Sequence, residues 1–230
     1  IASQMSVMRS SLIGSLVSVL RFNLARKAPR VRVFELGKVF LRDESVHDTD
    51  RTVKGLHQPL RLAGLAYGPA EPTQWGAKER AVDFFDVKGD LEALFAPRKL
   101  SFVAAGHPAL HPGRSAQVLL EGQVIGVIGE LHPKWRQGYE LPQAPVLFEL
   151  ALDAVLARSL PKSAGVPRQQ SVQRDIAVIV GEGVTHDALM AVIAGAHEGL
   201  IRSAKLFDVF KPAQPTAELK AGERSLAVRL

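Results

Sequence analysis

The chain has 230 residues, room for one large domain or two smaller ones, and its 47% hydrophobic and 23% charged content is ordinary for a soluble globular protein. It contains no cysteine, which excludes disulfides and thiolate zinc sites and points to a reducing compartment. No apolar run approaches the roughly 20 residues a membrane helix needs, and the net charge of +6 is uneven, with +7 carried by residues 1–42 and −1 by the rest.

The spacing predicts an amphipathic helix over residues 6–27, where Met8, Leu12, Leu16, Leu20 and Leu24 recur every four positions. Ser6 is its expected N-cap, Arg26 and Lys27 suit its C-terminal end, and Pro29 prevents its continuation. "RVRVFELGKVF", residues 30–40, alternates apolar and charged side chains as a half-buried strand does. Residues 43–59 are polar and aperiodic, a mobile loop, and "LRLAGLAYG" returns as a strand. "AVDFFDVKGDLEALFA" reads as a helix with Asp83 near its start and Pro97 just beyond its end. Four strands follow, "LSFVAAG", "RSAQVLL", "QVIGVIGEL" and "VLFELAL", the second and third joined by a tight turn at Glu121-Gly122.

Residues 158–170 carry two prolines, a glycine and no apolar period, as an interdomain linker does, so residues 1–157 and 171–230 read as separate domains. Beyond the linker, "RDIAVIV" is a strand, "THDALMAVIAGAHE" a helix capped by Thr185 or Asp187, and "IRSAKLFDVF" and "RSLAVRL" two more strands. The order β-α-β-β is the front of a ferredoxin-like βαββαβ unit. The first residue is not Met and the last run is strand-like, so the chain reads as a piece of a longer polypeptide.

The obvious chemical motifs dissolve on inspection. His107, His111 and His132 each precede a proline, which keeps them out of helices, and their spacing matches no metal-binding pair; they read as turn residues. Gly122, Gly126 and Gly129 have the wrong spacing for a dinucleotide fingerprint and lie in a strand, where close backbone approach explains them. Asp83, Asp86 and Asp90 share a helix with Lys88, a solvated face. The basic first 42 residues suit a phosphate backbone, an acidic partner or a solvated helix face.

The stretches "MSVMRSSLIGSLVSVLRFNLARK", "VRVFELGKVF", "HPGRSA", "IGVIGELHP" and "QRDIAVIV" together resemble the C-terminal region of the bacterial phenylalanyl-tRNA synthetase beta subunits. The resemblance covers nearly the whole chain. It implies an α+β fold: a class II aminoacyl-tRNA synthetase-like antiparallel sheet with helices, then a partial ferredoxin-like anticodon-binding βαββ unit. It also implies a cytoplasmic ligase using ATP and magnesium, a catalytic alpha subunit as partner in a tetramer of two such pairs, and tRNA(Phe) as substrate. A catalytic class II strand would pair an arginine and a glutamate two apart on one face. Here the residue two before Glu35 is Val33, and Arg32 alternates to the opposite face. The counterpart of the second ATP-binding strand, "VLFELALDAVL", has neither glycine nor arginine, so no catalytic, metal or cofactor residue is assigned to this segment.

Two alternatives stand beside this reading. One is an active ATP-using ligase; the other is an amino-acid-sensing regulatory unit at the C-terminus, which shares the ferredoxin-like topology. Met8, Leu12, Leu16, Val19 and Phe22 are the expected contacts with the alpha subunit. Arg174, Lys205, Lys211, Arg224 and Arg229 are the expected tRNA contacts, on a sheet with little aromatic area where phosphate binding outweighs base stacking.

Overall fold

The computed structural model describes residues 6–157, 170–196, 200–212, 214–216 and 219–230; the expected linker, apart from Gln170, lies outside them. The chain divides into two compact units, Ile1–Leu160 and Pro161–Leu230. Both are α+β with antiparallel sheets.

In the first unit, helix α1 (Ile13–Leu24) buries Ile13, Leu16, Val17 and Leu20. It begins later than the apolar spacing predicts, and Ser6 does not cap it. The terminus is fixed from elsewhere in the chain: Glu149 accepts the backbone N–H of Leu12 and the hydroxyl of Ser11, each at 2.7 Å. A carboxylate at a helix N-terminus satisfies orphan donors and complements the helix dipole. Strand β1 (Val31–Lys38) follows, and β2 (Leu41–Arg42), just before the expected loop, pairs with β3 (Leu56–His57) inside it as a small hairpin. Turns closed by Ser45 on Asp43 and by Thr49 with Thr52 organise that stretch, which the polar composition had concealed.

Strand β4 (Leu60–Tyr67) pairs in register with β1 and is buried on both sides. Helix α2 (Phe84–Phe95) starts at a capping box: the Asp83 carboxylate accepts the backbone N–H groups of Phe85 and Asp86, and Asp86 reaches back to Asp83 N–H. Strands β5 (Leu100–Ala104), β6 (Leu110–Leu120), β7 (Gln123–Leu131) and β8 (Val146–Ala151) complete a six-stranded sheet ordered β1-β4-β8-β7-β6-β5. Glu121 and Gly122 both take positive φ between β6 and β7, the tight turn the sequence predicts. Two short helices, α3 (Pro133–Gly138) and α4 (Leu152–Leu156), were not expected. The sheet is a middle layer: α1 packs with Ala63, Leu65 and Tyr67 on one face, α2 with Ala66, Val118 and Ile128 on the other.

The second unit contains β9 (Asp175–Gly181), α5 (His186–Ala196), β10 (Lys205–Phe210) and β11 (Glu223–Arg229), in the sheet order β10-β11-β9. Thr185 caps α5 by accepting the Ala188 N–H. Leu189 and Ile193 of α5 pack on Leu226 and Val228, covering one face of this sheet, and no helix among the described residues covers the other.

Candidate functional site

Cross-strand pairing in the second unit decides which side chains share the open face. Leu226 opposite Val178 and Val228 opposite Ile176 lie on the α5 side. Ser225, Ala227 and Arg229, paired with Ile179, Ala177 and Asp175, therefore lie on the open side. On β10, Lys205 pairs with Arg229 and joins them. A bulge between Leu206 and Asp208 then inserts Phe207 and reverses the alternation, so Asp208 faces Ala227 and Phe210 faces Ser225 on the open face. Phe207 is on that face too, with the Arg229 guanidinium 4.9 Å from its ring centre. Phe207 and Phe210 are 49% and 53% exposed, so the expectation of little aromatic area is corrected: strict alternation had counted only Lys205 from this strand.

The expected tRNA contacts separate on this frame. Lys205 and Arg229 share the open face, Arg229 donating to both oxygens of Asp175 at 2.9 and 2.8 Å, which holds the Asp175 carboxyl below its ordinary range. Lys211 pairs with Glu182 and lowers its pKa, chiefly through that hydrogen bond. Arg224 lies on the α5 side, opposite Val180, and donates to the Val184 carbonyl at 2.7 Å; it is not part of the open face. Arg174 is exposed just before β9, its backbone paired with that of Leu230.

On the first unit, Leu12 and Leu16 are sealed into this chain's own core at 0% and 2% exposure, which takes them out of the expected partner surface. The every-fourth-residue row that suggested them is the row α1 turns inward. Met8, Val19 and Phe22 are exposed, Met8 ahead of the helix and Phe22 beneath the Arg26 guanidinium.

Arg32 and Glu35 occupy opposite faces of β1, each already engaged. Glu35 accepts from Arg9 and from Ser15 on the α1 side. Arg32 donates to Asp90 at 3.3 Å and to the Ala70 carbonyl at 3.1 Å on the α2 side. A second Arg-x-Glu spacing, Arg42 with Glu44, escaped the sequence reading. It spans the end of β2 and a turn in which Asp43 accepts from Ser45, so strand alternation does not align the pair.

The three histidines before prolines use one device. His107, His111 and His132 each accept, at Nδ1, the backbone N–H two residues on, which is the first donor after a residue that has none. Burial pushes the His107 pKa down. Among the described residues no group of three or more His, Asp or Glu side chains is placed to hold a metal, and no helix is long and apolar enough to cross a membrane.

Comparison with known proteins agrees with this division. Residues 1–152 match the phenylalanyl tRNA synthetase beta chain CLM domain, and residues 167–230 match the ferredoxin-fold anticodon binding domain. The chain is 52% identical over its full length to the phenylalanine–tRNA ligase beta subunit of Ralstonia nicotianae, and 53% identical to that of Burkholderia lata. It spans 29% of the length of each. The corresponding subunit of Chromobacterium violaceum is 49% identical across 99% of this chain and 27% of its own length. Two adjoining domain matches and relatives this similar from end to end leave one assignment: the chain belongs to the phenylalanyl-tRNA synthetase beta chain family.

Proposed function

We propose that the chain is the non-catalytic scaffold and tRNA-binding portion of a phenylalanine–tRNA ligase beta subunit. Its first unit is a class II synthetase-like core that docks on the catalytic alpha subunit in the cytoplasm. ATP and magnesium act in the holoenzyme, away from this segment. The engagement of Arg32 and Glu35 on opposite strand faces supports this, because neither is positioned to hold a triphosphate or an amine with the other. The second unit binds tRNA(Phe) on its open sheet face.

The observation that carries the RNA reading is that open face: two half-exposed phenylalanines beside Lys205 and Arg229. Exposed aromatics on a sheet stack unpaired bases, and flanking cations take the phosphates. The test is tRNA(Phe) binding by the full holoenzyme. Phe207→Ala and Phe210→Ala should each weaken binding by about 5- to 150-fold, from roughly 1–3 kcal/mol of stacking per base. Lys205→Ala should instead shallow the dependence of affinity on salt by somewhat under one unit. Affinity and salt slope unchanged in all three would move RNA off this sheet.

A further inference from the structure

Between α1 and α3 lies a cavity of about 380 Å³. Ile13, Val17 and Leu131 give it an apolar floor, and Trp135 and Tyr139 give it an aromatic wall. The Trp135 indole is held in place by its bond to the Pro108 carbonyl. No residue of the lining carries a carboxylate, an ammonium or a guanidinium. Three polar groups of the lining have no hydrogen-bond partner among the described residues: the Ser10 hydroxyl, the Tyr139 hydroxyl and Nε2 of His107. Since His107 Nδ1 accepts the Ala109 N–H, the neutral ring carries its proton on Nε2 and donates from there. An apolar recess of this size with a few uncommitted polar groups has the form of a small-molecule site.

Gly14 keeps the cavity open. It sits inside α1, where glycine is the poorest helix former after proline, and a Cβ there would meet nothing within 4 Å. Packing within the unit therefore does not ask for glycine at this position, whereas a larger side chain would enter the cavity. The rim is cationic. The Lys134 ammonium stands 5.3 Å from the Trp135 ring centre and the Arg21 guanidinium 5.9 Å from that of Tyr139. Neither meets a carboxylate among the described residues, although most cations elsewhere in the unit that touch a ring or a strand are ion-paired, as Arg9, Arg32, Lys88 and Arg114 are. Arg21 also lines an adjoining cavity of about 490 Å³ that shares Tyr139, together with Lys27 and one carboxylate, Glu140.

We propose that this cavity binds a nucleotide, its base against Trp135 and Tyr139 and its phosphate at Arg21 and Lys134. Aromatic faces beside uncommitted donors and acceptors select a flat ring that carries both, as a nucleobase does. The unpaired rim cations select an anion next to that ring. An aromatic amino acid is excluded, because its ammonium would find no carboxylate in the lining. The lining offers no carboxylate to a magnesium ion either, so the phosphate is that of a monophosphate, free or within an RNA strand. The site binds and performs no chemistry. It involves neither the open face of the second unit nor Met8, Val19 and Phe22, so it stands apart from the RNA and alpha-subunit contacts proposed above.

The test is photolabelling of the full holoenzyme with azido-adenosine monophosphate, read by mass spectrometry of its peptides. Label is expected on the peptides that contain Gly14 or Tyr139, and AMP should compete for it. Gly14→Leu fills the cavity from a helix position that leucine favours, so the fold is kept and this label should disappear. Arg21→Gln and Lys134→Gln should each raise the AMP concentration needed for competition about tenfold, the loss of one charge-assisted hydrogen bond. Competition by AMP where tRNA(Phe) has no effect identifies a free nucleotide as the ligand. Competition by tRNA(Phe) far below the AMP concentration identifies a residue of an RNA strand. Label confined to other peptides, or label that survives Gly14→Leu, overturns the proposal. So does competition by indole as effective as that by AMP, or AMP competition unmoved in both rim variants.

Discussion

Replacing Glu149 tests whether α1 is held by a residue of a distant strand. Its carboxylate receives the Leu12 N–H and the Ser11 hydroxyl at 2.7 Å each, and Leu12 is fully buried. Glu149→Ala removes two hydrogen bonds to a charged acceptor, each worth about 1.5–3 kcal/mol, and strands a backbone donor away from water. Partial rescue by entering water leaves an expected cost of about 3 kcal/mol. Glu149→Gln keeps an acceptor oxygen but loses the negative charge at the helix terminus, for about 1–2 kcal/mol. Ser11→Ala leaves the carboxylate on Leu12 but takes the acceptor from the Ile13 N–H, 3.1 Å from the hydroxyl, and costs less than Glu149→Ala. The assay is urea unfolding followed by tryptophan fluorescence. Both tryptophans, Trp75 and Trp135, lie in the first unit, and the Trp135 indole donates to the Pro108 carbonyl at 3.0 Å, so the signal reports that unit. For a unit of this size about 3 kcal/mol corresponds to roughly 6–12 °C in Tm. If Glu149→Ala unfolds within about 0.5 kcal/mol of the parent, α1 is not capped through β8 and the reasoning fails.

Two glycines in the same sheet should differ in a predictable order. A Cβ at Gly126 would overlap the Glu149 carbonyl and lie 2.8 Å from the Leu150 Cα, backbone that cannot turn aside, so Gly126→Ala should cost about 3 kcal/mol. At Gly64 the obstacle is the Phe148 ring, which borders a cavity of about 180 Å³ and can swing, so Gly64→Ala should cost about 1–2 kcal/mol; equal costs in urea unfolding would contradict this. The Asp86 carboxyl is held down to about 2 from 3.8, first by its hydrogen bond from Arg80. Its stabilising contribution is therefore present above 3.8 and lost as pH falls through about 2, and in Arg80→Ala a carboxyl NMR titration should find Asp86 back near its ordinary value.

What the sequence made legible is what depends on near neighbours. Glu121-Gly122 declares its turn because both positions need positive φ, and His107-Pro108 opens one too; of the other expected turns, His111 lies within β6 and His132 caps α3. The start of α1 was not legible, since Met8 continues the apolar spacing while the cap comes from Glu149, 137 residues away from Leu12. Helix α3 did carry a local signal that went unread: Pro133 at its first position, preceded by a His132 ring that accepts the Lys134 N–H.

The bulge in β10 shows how a conflict between levels can locate a site. Unbroken alternation from Lys205 would aim Asp208 and Phe210, with Leu206, towards the α5 side. Inserting Phe207 reverses that. Asp208 reaches the open face opposite Ala227, Val209 takes the inward position opposite Leu226, and Phe210 is carried outward with its ring half exposed. The bulge therefore brings Asp208 and both phenylalanines to one face. The sign of it in "KLFDVF" is the charged residue that strict alternation would turn inward. A register shift at that point sets both phenylalanines on the face that carries Arg229.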